Sequence, residues 1–193
     1  MQRVEKKLFG SVNGKEIHLF RLTNANGMVA EIMEFGGRIR ALCLPDGKGG
    51  LDNMSVGHDS LEPYSERFNP WLGALLGRTA SRIAGARFTL DGKVHNLSAS
   101  GPAGSSMHGG FTGFDCRIWS GEADSDPSGA TLKLSYLSPD GEEGYPGSVN
   151  VTVTYRLDDD NRFHMNWAAA TDAPTIIDMS SHVYLNLNGF RKR

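Results

Sequence analysis

Short runs of alternating apolar and polar residues recur along this chain of 193 residues. The clearest run is 148–157 (SVNVTVTYRL), where apolar side chains fall on one side and polar ones on the other. Because successive side chains of a strand point to opposite faces, this pattern predicts a half-buried β-strand. Similar patterns predict strands over 16–22, 28–34, 38–44, 130–137, 162–170 and 183–187.

Few segments depart from this β pattern. Only 59–67 has helical character, and Pro63 weakens it. Loops are predicted over 101–106 and 121–129, which are rich in Gly, Ser and acidic residues. The aromatic-rich end of 107–119 (MHGGFTGFDCRIW) is predicted to be a strand. Many short strands with regular turns and no linker indicate a single all-β domain, a sandwich or barrel.

Composition and charge exclude several classes of function. The formal net charge of -2 gives no reason to expect binding to nucleic acid. No apolar run is long enough to cross a bilayer. The two cysteines make no disulfide framework and no CxxC site. Charged residues interrupt the N-terminal run where a signal peptide would need an apolar core, so we expect a cytoplasmic protein.

Two histidines stand in settings unlike those of the other four. His108 is followed by two glycines, His182 follows two serines, and Arg82 lies in a third Ser/Gly-rich segment. Small neighbours let a backbone approach a ligand closely while the imidazole faces it. The histidines show no HxH, HExxH or Cys/His spacing, so no zinc site is expected. Nucleotide-binding glycine motifs are also missing from the sequence.

Four segments together resemble the aldose 1-epimerases, the galactose mutarotases: 77–93 (GRTASRIAGARFTLDGK), 107–119, 138–147 (SPDGEEGYPG) and 180–189 (SSHVYLNLNG). They occur in the order and at the spacing of that family. The resemblance implies a large antiparallel β-sandwich, the galactose mutarotase-like supersandwich, incomplete at its C-terminal end and formed as one domain by residues 1–193. It also implies interconversion of the α and β anomers of aldohexoses such as galactose and glucose, with a monosaccharide as the partner and no cofactor.

The resemblance assigns roles to four residues of the chain. His182 is expected to be the general acid at the ring oxygen, and His108 the second histidine, which bonds the sugar near that oxygen. Arg82 resembles the arginine that contacts the sugar, with Arg78 as the competing assignment. Ser81 stands where the family commonly has asparagine, and it is expected to bind substrate with shorter reach. Histidine suits this reaction because each group must act as acid and as base near neutral pH.

The base for the reaction is the open question of the sequence. Glu142 and Glu143 offer carboxylates, although the simpler interpretation is a turn with solvated acids. Asp115 is expected to be structural. The resemblance places the family's general-base glutamate, and an aspartate that binds sugar hydroxyls, in a C-terminal part that has no counterpart here. The chain is therefore expected to be truncated, and the alternatives are an inactive mutarotase fragment or a non-catalytic sugar-binding module.

Overall fold

Residues 4–53 form an antiparallel sheet whose strands follow one another in sequence order. The computed structural model describes residues 3–66 and 71–189. The sheet contains β1 (Val4–Val12), β2 (Lys15–Thr23), β3 (Val29–Met33), β4 (Ile39–Pro45) and β5 (Leu51–Asn53). β3 is buried along its whole length, so this strand lies at the centre of the fold.

A middle region of short elements follows the first sheet. It contains one turn of helix, α1 (Glu62–Ser65), and then the short strands β6 (Leu75–Leu76), β7 (Arg82–Ile83), β8 (Arg87–Leu90), β9 (Lys93–Asn96) and β10 (Ser106–Met107). β8 and β9 form a hairpin, and β7 pairs with β10. These pairings matter because β7 contains Arg82 and β10 ends just before His108, two residues that are expected to contact the sugar.

The second large sheet is formed later in the chain. Its strands are β11 (Ser120–Asp126), β12 (Gly129–Ser138), β13 (Val149–Asp158) and β14 (Phe163–Thr171), again in sequence order. The last described strand, β15 (Ser180–Ser181), returns to pair with β6. The large sheets are antiparallel throughout, as the hairpin-like spacing of the sequence predicts.

The main core lies between the two large sheets. The apolar face of β13 packs with β12 against residues of β2, β3 and β4, so that Val151, Val153 and Leu157 share a cluster with Phe20 and Ile32. All five side chains are at most 2% exposed. Burial of this area provides the main stabilisation, at about 25 cal/mol per Å² of apolar surface removed from water.

One hydrogen bond fastens the two sheets at the turn between β3 and β4. The hydroxyl of Tyr155, fully buried on β13, donates to the carbonyl oxygen of Gly37 at 2.6 Å. Gly37 has φ +55°, and a Cβ there would lie 2.3 Å from a methyl of Leu75. The position therefore accepts only glycine, since a side chain would collide with the segment that leads to the candidate site.

The prediction of an antiparallel β-sandwich is confirmed. Strands occur where the alternation predicts them, at β2, β3, β4, β12, β13 and β14. The helix predicted over 59–67 is reduced to the single turn α1, and Arg67 lies outside the described residues. The sequence patterns missed β1, where a bulge near Gly10 interrupts the alternation, and also missed the β8–β9 hairpin.

Three predictions of local structure are wrong. Residues 121–129 are predicted to be a loop but mostly belong to the exposed edge strand β11, whose polar residues pair with β12. Residues 107–119 are predicted to include a strand, yet positive φ angles at His108 and two glycines end β10 there. Residues 183–187 are predicted to be a strand but make only one isolated bridge, between Leu185 and Ser55, through backbone bonds of their neighbours to Met54 and Val56.

We predict that Tyr155→Phe lowers the free energy of unfolding by about 1–3 kcal/mol, because it leaves the buried Gly37 carbonyl without its donor. Chemical denaturation measures the change. The control is Thr154→Val, at the preceding position and on the opposite face of β13. Equal stability of the two variants would show that the bond contributes nothing.

Candidate functional site

The segment 71–83 is the backbone on which the candidate site is built. On one side, β15 pairs with β6, and the N–H of His182 donates to the carbonyl of Ala74 at 2.8 Å. The N–H of Gly73 returns a bond to the carbonyl of His182 at 3.0 Å. This pair of bonds fixes the backbone of His182 against the first half of the segment.

The other end of the same segment holds His108. The β7–β10 ladder places Arg82 opposite Met107, the residue before the histidine. The N–H of His108 donates to the carbonyl of Ser81 at 2.9 Å, and the N–H of Ser81 donates to His108 Nδ1 at 3.1 Å. Two histidines that are 74 positions apart in the sequence (182 − 108) are thereby held by one short stretch of chain.

The two imidazole rings lie side by side. Their centroids are 5.4 Å apart and their planes are nearly perpendicular, at 89°. The indole of Trp71 lies against both rings, with its centroid 4.9 Å from that of His108 and 6.0 Å from that of His182. The ring of Tyr184 lies against that of His182, with the two centroids 4.9 Å apart. The predicted histidine pair thus has an aromatic wall. Sequence analysis missed it because Trp71 lies outside the predicted strands and the four family-like segments, and Tyr184 lies in one of those segments without an assigned role.

Hydrogen bonding and charge fix the protonation state of His108. Because Nδ1 accepts from the Ser81 amide, the neutral ring carries its proton on Nε2, where it can be donated to a ligand. Burial, the neighbouring His182 and the charge of Arg82 lower the pKa of His108 from 6.5 to about 4. His108 is therefore a neutral hydrogen-bond donor at pH 7.

Arg78 and Arg82, the competing arginines, have opposite environments. Arg78 is 1% exposed, and its guanidinium donates to the carbonyls of Ser138, Pro139 and Pro146. Its donors are thus already occupied. Arg82 is exposed beside His108, and among the described residues its side chain has no hydrogen bond or ion pair. Its guanidinium donors face no internal competitor for a ligand oxygen.

The two adjacent glutamates are not solvated acids, so that expectation is wrong. The Glu142 side chain is 7% exposed, pairs with Arg117 at 2.8 Å, and accepts from the hydroxyls of Tyr136 at 2.6 Å and of Ser138. Glu143 accepts bonds from the loop that follows His108. Both carboxylates thus have hydrogen-bond donors: those of Glu142 come from Arg117, Tyr136 and Ser138, and those of Glu143 come from Phe111 and Thr112.

Asp115 is structural, as expected, with its carboxylate 3.7 Å from the buried guanidinium of Arg38. Both cysteines, Cys43 and Cys116, are free and half-buried.

Within residues 3–66 and 71–189, no three or more His, Cys, Asp or Glu side chains are grouped so as to hold a metal ion. No helix in the described part of the chain is both long and apolar enough to cross a membrane.

Comparison with known proteins decides the family. The family model described as aldose 1-epimerase matches residues 18–193, nearly the whole chain. The chain belongs to the aldose 1-epimerase family. It is 37% identical to the aldose 1-epimerase of Escherichia coli K12 over 177 residues, which are 92% of this chain and 50% of that protein. It is 36% identical to the galactose mutarotase of Rattus norvegicus over 191 residues, 98% of this chain and 54% of the relative.

Solved structures give the same result for the aldose 1-epimerase fold. The galactose 1-epimerase of Lactobacillus acidophilus NCFM superimposes with a TM-score of 0.86 at 28% identity, over 95% of this chain and 53% of that structure. A GalM/aldose epimerase homologue from C. elegans gives 0.80 at 25% identity, over 88% of this chain and 51% of that structure. The chain spans about half the length of the relatives it matches. Its family is a family of enzymes.

We predict that His108 makes stability fall as the pH is lowered from 6.5 to 4. In this window the unfolded chain binds a proton at His108 that the folded chain does not, so acid favours unfolding. His108→Asn keeps a polar side chain that tolerates the positive φ and should flatten the pH dependence of the melting temperature. The control, His95→Asn, removes a histidine outside the site. A His108→Asn profile that parallels the wild type would contradict the lowered pKa.

Proposed function

We propose that this chain carries the sugar-binding and acid part of an aldose 1-epimerase site, which interconverts the α and β anomers of an aldohexose. The observation that supports this most is the juxtaposition of the two imidazoles, whose centroids are 5.4 Å apart, beside Arg82, which has no hydrogen-bond or ion-pair partner among the described residues. Relatives named galactose mutarotase make galactose the first sugar to test. Arg82 would donate to sugar hydroxyls, whose oxygens accept bonds from its fork of N–H groups.

The roles of the two histidines follow from their different surroundings. His108 is held neutral by burial and by its bond from Ser81, so it can donate from Nε2 to an oxygen of the ring without releasing its proton. The ring nitrogens of His182 have no hydrogen-bond partner among the described residues. His182 is therefore the group proposed to protonate the ring oxygen as the C1–O5 bond breaks. A positioned proton donor of this kind contributes about 10²–10⁴-fold to the rate.

Ring opening also needs a base that removes the proton from the anomeric hydroxyl. When the ring closes on the other face, the base returns that proton to the new hydroxyl and the acid recovers the one from the ring oxygen. Glu142 and Glu143 are unsuited to this role because neighbouring donors already occupy their carboxylates. We propose that the base is a carboxylate from outside residues 1–193, since the relatives are about twice as long.

We predict that Arg82→Ala weakens galactose binding on the order of 10- to 100-fold, because a charged hydrogen bond contributes about 1.5–3 kcal/mol. Tryptophan fluorescence should report the binding, since Trp71 contacts both histidines. The matched control is Arg87→Ala, which removes an exposed arginine from the neighbouring strand β8. Identical affinities for the two variants would remove Arg82 from the site, and no saturable signal with wild-type chain would overturn the sugar site itself.

We predict little acceleration of mutarotation by the purified 193-residue chain. Polarimetry of freshly dissolved α-D-galactose and α-D-glucose, against a no-protein control, measures the rate. The physical reason is that a bound sugar with an acid but no base can open only slowly. Robust turnover at low protein concentration would show that a group within the chain serves as the base and would contradict the proposed outside carboxylate.

A further inference from the structure

We infer that Glu143 is a positioning residue, whose carboxylate clamps the loop 109–112 and thereby fixes the ring of His108 in the site. That His108 belongs to a sugar site rests on the proposed function, but the experiments below measure only the loop and the His108 ring. Glu143 lies 35 positions from His108 (143 − 108), and it contacts the loop rather than the ring or a sugar.

The contacts of Glu143 converge on backbone donors. Its Oε2 accepts from the N–H of Phe111 at 3.0 Å, and its Oε1 accepts from the N–H of Thr112 at 2.9 Å. The hydroxyl of Thr112 donates to the same Oε1 at 2.5 Å. One carboxylate therefore serves three donors of a loop whose side chains are exposed, with Phe111 at 64%. A surface loop with so little burial depends on such bonds for its conformation.

The conformation that these bonds hold is unfavourable by itself. His108 has φ +53°, a left-handed geometry that costs a residue with a side chain about 1–2 kcal/mol. Gly109 and Gly110 follow at φ +93° and +120°. A Cβ at Gly110 would lie 2.2 Å from Glu143 Oε2, so the carboxylate packs directly on the loop backbone. The loop would relax if it were released.

Glu143 is itself fixed. Its own φ is +51°, and its carbonyl accepts from the N–H of Ser98 at 3.0 Å, which anchors the turn to the segment after β9. Burial opposes the charge of Glu143, but hydrogen bonds from Ser98, Thr112 and the loop amides outweigh it and lower its pKa. The carboxylate is thus ionised at neutral pH, as expected for a group that accepts several hydrogen bonds.

The groups that face the His108 ring are His182, Arg82, the Trp71 indole and the Ser81 amide. Release of the loop would expose this ring to water and raise its pKa toward 6.5. Removal of a negative charge would by itself lower the pKa of a nearby histidine. A positioning role and a direct charge effect of Glu143 therefore predict shifts of opposite sign.

The test is an NMR titration of His108 in wild-type chain and in Glu143→Gln, without sugar. We expect the pKa of His108 to rise by about one unit or more in the variant. Asp140→Asn, a charge-removing change in the same turn whose carboxylate bonds Gly147 and not the loop, should leave it unchanged. A fall or no change in Glu143→Gln would overturn the inference, whereas loss of stability alone would not move the titration of the folded chain.

Two further measurements keep the inference testable if Glu143→Gln does not fold. Amide hydrogen exchange in the wild type should show Phe111 and Thr112 protected despite their exposure, and rapid exchange of both would overturn the clamp. Thr112→Val removes one of the three loop bonds to Glu143, together with the bond that the Thr112 hydroxyl accepts from Arg117, and should raise the pKa of His108 by a smaller amount. Because none of these readouts needs sugar, a chain that fails to bind galactose would refute the proposed function and leave this inference standing.

Discussion

The site depends on the hydrogen bonds of one buried group, the guanidinium of Arg78. Its Nε donates to the hydroxyl of Ser138 at 2.8 Å, and its two outer nitrogens donate to the carbonyls of Ser138, Pro139 and Pro146. Ser138 is the last residue of β12 in the second sheet, and Pro139 and Pro146 lie in the connection from β12 to β13. The charge thus ties the segment 71–83 to the sandwich, and a buried charge is tolerated only when its donors are satisfied in this way.

The consequence is a hierarchy of rigidity that runs from the core to the cleft. Packing between the sheets fixes β12 and β13, Arg78 fixes the segment 71–83 to them, and that segment holds the backbones of His108 and His182. The 141–147 turn, between the same two strands, reaches the His108 loop through Glu143. Arg82, at the end of this series of contacts, is exposed, which suits its proposed contact with a sugar.

The sequence was a good guide where side-chain periodicity decides the structure and a poor one where backbone geometry does. Alternation predicted β13 because Val149, Val151 and Val153 share one buried face. It failed at β11, where pairing with β12 outweighs a polar composition, and at 107–119, where left-handed residues end the strand. Motif resemblance singled out His108, His182 and Arg82, which the fold brings together. Trp71 and Glu143 act through long-range contacts that no local pattern encodes.

The spacing of the two imidazoles limits how much charge the cleft can store. With ring centroids 5.4 Å apart in a partly dry setting, a proton on one ring repels a proton on the other, and Arg82 adds to that repulsion. His108 therefore carries no charge near neutral pH, so the cleft suits a neutral polar ligand better than a cation.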